Sequence, residues 1–182
     1  MAAAAPSRVW ALDLPLVSER LLLRVHRPED LDDLVVFHSD PEVTRYIPWP
    51  VRSREQTAEA LTKKLEQSVA RRTGEWIVLA VEERDSRTVI GEVLLKRAGP
   101  HRAEVGYAFR ADRHGQGLAS EAVGLLLRTA VIAFDLTRVE AVVEAPNTAS
   151  IRLLERFGFT RTGVIEGSHG ELRRFVWRPP RR

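Results

Sequence analysis

The stretch Glu104-Val-Gly-Tyr-Ala-Phe-Arg-Ala-Asp-Arg-His-Gly-Gln-Gly-Leu-Ala-Ser-Glu-Ala122 decides how this chain is read. It opens as a β-rich run and passes through a Gly-rich turn. It then enters a segment in which Leu118, Ala122, Leu125, Leu126 and Thr129 recur at helical spacing. A turn of this kind gathers backbone N–H groups into one concavity at the positive end of a helix dipole. That is a site for an anion, most often a phosphate. The spacing is neither a Walker loop, Gly-x-x-x-x-Gly-Lys-Ser/Thr, nor a dinucleotide fingerprint, Gly-x-Gly-x-x-Gly. On its own the turn leaves its ligand open, with a plain strand–helix connector as the alternative.

The flanking segments build a domain around it. Arg20–Val25 reads as a first strand, and Pro28-Glu-Asp opens a helix with Leu31, Leu34 and Val35 on its apolar face. Tyr46–Val51 is irregular, aromatic and punctuated by proline. A second helix is predicted from about Arg54 to Arg71, with Ala58, Leu61, Leu65 and Val69 on one face. Strand signals follow at Trp76–Val81, Thr88–Leu95 and Ala103–Phe109, the first two joined by a polar turn over Glu82–Arg87. After the Leu118–Phe134 helix come a strand (Arg138–Val143), a short helix from Pro146 to Phe157 and a closing strand pair, Phe159–Ile165 and Glu171–Trp177. The order β-α-α-β-β-β-α-β-α-β-β implies a mixed sheet with helices on both faces.

The composition narrows the function. The 182 residues suit one domain: a mobile lead-in over 1–15, a single domain over 16–178 and a basic tail over 179–182. There is no cysteine, hence no disulfide and no Cys nucleophile, and the five histidines lack metal-ligand spacing, so no metal is expected. No apolar run reaches transmembrane length, and the first residues do not read as a signal peptide; the expected compartment is the cytoplasm. The high isoelectric point, 9.8, accompanies a net charge of only +3. Basic residues are dispersed apart from the tail, so nucleic acid is not the expected partner.

Taken together, these segments resemble the GNAT acyl-CoA-dependent N-acetyltransferases over about residues 16–178. They look most like the ribosomal-protein N-terminal (RimJ/RimL-like) branch. The resemblance rests on Ser18-Glu-Arg-Leu-Leu-Leu-Arg, Asp40-Pro-Glu-Val-Thr-Arg-Tyr-Ile-Pro-Trp, Glu104-Val-Gly-Tyr, His114-Gly-Gln-Gly-Leu-Ala-Ser-Glu-Ala and Asn147-Thr-Ala-Ser-Ile-Arg-Leu-Leu-Glu-Arg-Phe-Gly-Phe. It implies an α/β (α+β) fold with a mixed, mostly antiparallel sheet splayed at the coenzyme site. It implies acetyl-CoA as co-substrate and an amine as acceptor: a protein N-terminus, an amino acid or a small amine. Relatives often form homodimers, a partner for which this chain shows no sequence mark.

The family's Gln/Arg-x-x-Gly-x-Gly/Ala motif falls on His114, Gly115, Gln116, Gly117, Leu118 and Ala119, with Ser120 completing the turn. His114 stands where Gln or Arg is usual, and Arg113 is placed to supply the charge instead. Phe109, Arg110 and Ala111 are expected to pair with the pantetheine arm, and Arg152 to meet a coenzyme phosphate. Catalysis needs a base for the amine, with Glu104 the leading choice over Glu92 and Glu144, and a proton donor for the thiolate. Many relatives use a Tyr at the position held here by Leu154. The Asn-x-x-Ser pattern instead points to Ser150 as the acid and Asn147 as a coenzyme contact, although Asn147 also reads as a helix N-cap. Glu104 has a second reading as a cross-strand ion pair with Arg97 or Arg102. Tyr46, Trp49 and Trp76 are the aromatic candidates for the acceptor pocket. Arg173 and Arg174 on the final hairpin would favour an acceptor carrying a carboxylate. The competing function is a non-catalytic acyl-CoA-binding sensor on the same fold.

Overall fold

The computed structural model describes residues 9–167 and 170–180. In chain order the elements are β1 (Trp10–Ala11), β2 (Leu16–Val17), β3 (Leu21–Arg24), α1 (Leu31–His38), α2 (Pro41–Thr44), α3 (Arg54–Leu65), β4 (Val69–Ala70), β5 (Trp76–Glu83) and β6 (Val89–Gly99). They continue with β7 (Arg102–Phe109), α4 (Leu118–Phe134), β8 (Arg138–Glu144), α5 (Thr148–Arg156), β9 (Thr160–Gly167) and β10 (Gly170–Trp177).

Eight strands form one sheet in the order β2-β3-β5-β6-β7-β8-β10-β9, and β1 pairs with β4 beside it. Every neighbour in the large sheet is antiparallel except β7 and β8. That parallel pairing covers only Arg102–Glu104 against Arg138–Glu140. Beyond Glu104 the two strands part. β7 keeps its ladder with β6 as far as Phe109, while β8 is held on its other side by β10. The backbone of residues 105–109 therefore faces an opening in the middle of the sheet.

The sheet has a core on each face. On one, α4 turns Leu118, Ala122, Leu126 and Ala130 onto Val93, Leu95 and Val105. On the other, Leu34, Phe37 and Leu61 of α1 and α3 cover Ala80, Val89 and Ala108. α3 starts at a capping box, in which Ser53 and Gln56 each satisfy the other's backbone N–H.

Two sequence expectations change. The predicted lead-in over 1–15 holds core residues in its described part: Trp10 is 2% exposed and stacks on Phe134 with centroids 4.5 Å apart. Residues 1–8 lie outside the described residues. The second helix ends at Leu65 rather than Arg71, because Val69 and Ala70 pair with Ala11 and Trp10. An aromatic side chain that needs burial draws those residues out of the helix.

Candidate active site

The Gly-rich turn links β7 to α4 through two left-handed glycines, Gly115 (φ 75°) and Gly117 (φ 77°). A side chain at either position would meet open space or the tip of Arg20, so glycine is required for its backbone conformation and not for room. Among the described hydrogen bonds, no N–H from Gly115 to Ser120 donates to a protein acceptor; the first that does is Glu121, to the Gly117 carbonyl. A run of unused amides at the start of a long helix is a cradle for an anion. A cavity of about 420 Å³ opens onto it.

A larger cavity of about 860 Å³ lies on the α1/α3 side of the sheet. Its floor includes Val78, Leu94 and Gly106, and Tyr46, Trp49 and Trp76 stand in its wall. The two cavities share Tyr46, Ile47, Tyr107, Ala108, Asn147 and Ser150. They therefore meet at the opening between β7 and β8.

Asn147 caps α5 by accepting the Ser150 N–H at 3.1 Å. It keeps a place in both cavity walls, so capping and contact with a ligand are compatible. The Tyr107 hydroxyl donates to the Ser150 carbonyl at 3.1 Å. Burial pushes the Tyr107 pKa up to about 12, so the phenol keeps its proton at neutral pH. Leu154 is fully buried in the core and offers no polar atom to the opening.

Of the predicted coenzyme residues, Phe109, Arg113, His114, Gly115, Gly117, Leu118, Ala119, Ser120 and Asn147 line the smaller cavity. Arg110, Ala111, Gln116 and Arg152 do not. Arg110 donates its N–H to Ile90 and its guanidinium to Asp112. Ala111 packs against the α1/α3 core, and the Gln116 side chain turns back to the Asp112 carbonyl. Arg152 is exposed. Arg156, one turn further along α5, lines the cavity instead and reaches Ser120 Oγ at 3.2 Å. His114 donates Nε2–H to the Phe109 carbonyl at 3.0 Å, locking the turn. That bond occupies a main-chain acceptor expected to serve the pantetheine arm. Arg113 shares its charge with Glu83 and Asp112.

The three candidate bases separate clearly. Glu104 lies in the larger cavity, with Lys96 at 3.6 Å as its ionic partner rather than Arg97 or Arg102. Glu144 lines the same cavity, and its backbone carbonyl accepts the Asn147 N–H. Glu92 is fully buried and lines neither cavity. It is the hub of an enclosed ionic cluster: Lys64 bonds both its oxygens, His26 Nε2 lies 3.1 Å away and His38 Nε2 4.0 Å away. Burial alone would raise the Glu92 pKa, but Lys64 and the two imidazoles outweigh it and hold the carboxyl well below its usual range. A carboxylate so thoroughly engaged is a poor proton acceptor. The cluster continues from His26 to Asp30, and from Asp30 through Arg24 to Glu82.

Residues 20–160 match the acetyltransferase (GNAT) domain family. The chain belongs to that family. This GNAT acetyltransferase is 32% identical over 151 residues to the uncharacterized N-acetyltransferase p20 of Bacillus licheniformis, covering 82% of this chain and 84% of that protein. A GNAT-family acetyltransferase structure from Bacillus anthracis superposes with a TM-score of 0.79 at 25% identity, covering 91% of this chain and 98% of that one. RimL, a ribosomal L7/L12 alpha-N-protein acetyltransferase solved in complex with coenzyme A, superposes at 0.75 with 18% identity over 89% and 96% of the two chains. At that identity the likeness shows the fold alone.

Several residues around the candidate site of this acetyltransferase escaped the sequence reading. Arg20 joins the opening Ser18-Glu-Arg motif to the cradle: its guanidinium holds Glu121 of α4 and the Gln116 carbonyl, and Ser18 Oγ bonds the same Glu121. Gly91 on β6 makes room for the edge of the opening. A Cβ there would fall 2.5 Å from the Ala108 carbonyl and 2.6 Å from the Phe109 ring. The cations of the larger cavity are Arg52, Lys63 and Lys64, not the expected Arg173 and Arg174, neither of which lines it. His169 of the final hairpin lies outside the described residues.

Proposed function

We propose that the protein transfers an acetyl group from acetyl-CoA to a primary amine by direct attack in a ternary complex. The observation that carries this reading is the meeting of two cavities at the split between β7 and β8, one opening onto the unused amides and the other lined by carboxylates and aromatic rings. The Gly115–Ser120 amides would hold the pyrophosphate. The unpaired edge of residues 105–109 would hydrogen-bond the pantetheine arm as an added strand does. The thioester would then lie where Tyr107, Asn147 and Ser150 line both spaces.

The amine nitrogen attacks the thioester carbonyl carbon, the C–S bond breaks, and the amine's proton leaves through a carboxylate. A β7 backbone N–H would polarise the carbonyl. Glu104 lies three residues, or about 10 Å, along the strand from Tyr107, so it would act through water. Glu144 is the alternative base. Ser150 would protonate the leaving thiolate, with the Tyr107 phenol as a second donor within the same group. The acceptor is a protein N-terminus, an amino acid or a small amine. The Asn147-x-x-Ser150 pair supports the RimJ/RimL-like branch.

Thiol release from acetyl-CoA, measured against a panel of peptides, amino acids and aminoglycosides, tests the reading. The chain has no cysteine, so the thiol signal has no protein background. Turnover with at least one amine is expected. Tight coenzyme binding without turnover on any would favour a sensor. The pH dependence of kcat/KM then identifies the base: its acidic limb should vanish in Glu104→Gln and persist in Glu144→Gln.

A further inference from the structure

The larger cavity has an uneven distribution of charge. Arg52, Lys63 and Lys64 line its α3 side together with a single carboxylate, Glu59, while Glu104 and Glu144 line the strands. Lys64 is committed to Glu92. Arg54, two residues from Arg52, is paired with Asp32 at 2.6 Å. Arg52 differs from both: among the described residues, no carboxylate stands within ion-pair distance of it.

The structure nevertheless holds Arg52 in place. Its backbone N–H donates to the His38 carbonyl at 3.1 Å, and its guanidinium lies 5.0 Å from the centroid of Trp49. The Lys64 ammonium lies 5.8 Å from the same ring, so Lys64 and Arg52 share one aromatic support. A guanidinium lying over a ring keeps its in-plane N–H donors for another partner. Arg52 is half-buried, and burial pulls its pKa down; the buried charge of Glu92 offsets this only in part and makes no ion pair with it. The Trp49 indole N–H, enclosed in the same wall, also has no acceptor among the described residues.

We infer that the acceptor carries a carboxylate, seated against Arg52 at the α3 side of the larger cavity, while its amine reaches the opening between β7 and β8. This rests on the acetyl-transfer reading and adds the substrate class to it. A carboxylate there gives Arg52 the partner it lacks, and the ammonium meets Glu104 and Glu144. A polyamine would instead set a second positive charge against Arg52. The aromatic wall, with Tyr46 and Trp76, accommodates the apolar part of such an acceptor.

The test uses acceptors paired to differ by one carboxylate: phenylalanine against phenylalanine amide, and the amidated peptides Ser-Glu-Ala and Ser-Gln-Ala. Spermidine is the polyamine control. The expected result is at least a tenfold preference in kcat/KM for the carboxylate member of one pair, in keeping with a charge-assisted hydrogen bond. A response in the first pair marks a free amino acid, and in the second an acidic peptide N-terminus. Arg52→Gln should abolish the preference and Arg52→Lys should keep part of it, with coenzyme A affinity unchanged in both. Amides or spermidine serving as well as the acids, or a preference surviving in Arg52→Gln, would overturn the inference and leave acetyl transfer standing. No turnover of any amine by protein that binds acetyl-CoA would sink both.

Discussion

The proposed coenzyme cradle and the proposed acceptor cavity are neighbours built on opposite plans. The cradle is one contiguous run, Gly115–Ser120, and its working groups are backbone amides. The acceptor cavity draws on the Tyr46–Arg52 segment, α3 and strands β5 to β8, and its working groups are side chains. Side chains can change without disturbing amides that point into a turn, provided the left-handed glycines remain. One sheet can thus keep its coenzyme while varying its amine. The two regions should also fail differently: the cradle through coenzyme affinity, and the cavity through stability and acceptor choice.

The largest expected effect is on the cavity side. Glu92→Gln leaves Lys64 and His26 facing a neutral amide in an enclosed site. Breaking one side of a buried ion pair costs about 3–5 kcal/mol, read as a lower midpoint in denaturant. Where the variant is folded, kcat should stay within about fivefold; a far larger loss would mean that Glu92 takes part in proton transfer after all. The same cluster sets the pH response. Asp30 and Glu92 are both held below the usual carboxylate range, against the effect of burial, by Arg24 and Lys64 and by the imidazoles. Their contribution is complete at neutral pH and is lost as pH falls below about 4. The histidines oppose each other. His26 is raised by its carboxylate neighbours and contributes below about 6.5, losing that as pH rises through its folded value. His38 is lowered by burial and contributes above about 6.5, losing that on acidification. Unfolding free energy should therefore stay nearly flat from pH 6 to 7 and drop steeply under pH 4; a steep decline above pH 5 would contradict this assignment.

Next comes Gly117→Glu in the cradle. A side chain forced to φ 77° is strained, and its carboxylate would repel the diphosphate. Coenzyme A affinity should fall by about a hundredfold or more, with the circular dichroism spectrum retained. Unchanged affinity would move the phosphate site elsewhere. Ser150→Ala is smaller and acts where the two regions join. Turnover should drop about tenfold, with coenzyme affinity within about twofold. If turnover is unchanged, Ser150 is only a residue of the first helical turn, and Tyr107→Phe becomes the informative variant.

Legibility in the sequence followed the same division. The turn, the α4 boundaries at Leu118 and Phe134 and the Asn147 cap were readable because each is set by residues a few positions apart. The Lys64–Glu92 bond spans 28 residues, and the Arg156–Ser120 bond spans 36. Nothing local in either segment marks such a partner. Glu92 looked like an accessible carboxylate on a strand until α1 and α3 were placed over it. Leu65 and Val69 continued a helical pattern, yet Leu65 is 38% exposed and Val69 belongs to a strand paired with the N-terminus.

The smallest expected effect tests whether the cradle is as local as this contrast makes it. Arg20 lies 101 residues from Glu121, yet it bonds that carboxylate and also the Gln116 carbonyl inside the turn. Its side chain is 48% exposed, so the ion pair is partly screened by water and adds little to global stability. What it can do is bias the turn toward one orientation, with carbonyl 116 held back and the amides facing the cleft. Removing it in Arg20→Ala should weaken coenzyme A binding about threefold, because the turn must then be ordered by the ligand itself. The loss should appear in KM for acetyl-CoA and leave kcat unchanged, and Arg20→Lys should restore little, since one ammonium cannot span both acceptors as a guanidinium fork does. If Arg20→Ala binds coenzyme A as the parent does, the turn is self-sufficient and the Ser18-Glu-Arg motif serves only to seat β3 on α4. If the loss approaches that of Gly117→Glu, the cradle is a tertiary structure that happens to be written in one stretch, and the division between a local and an assembled region collapses.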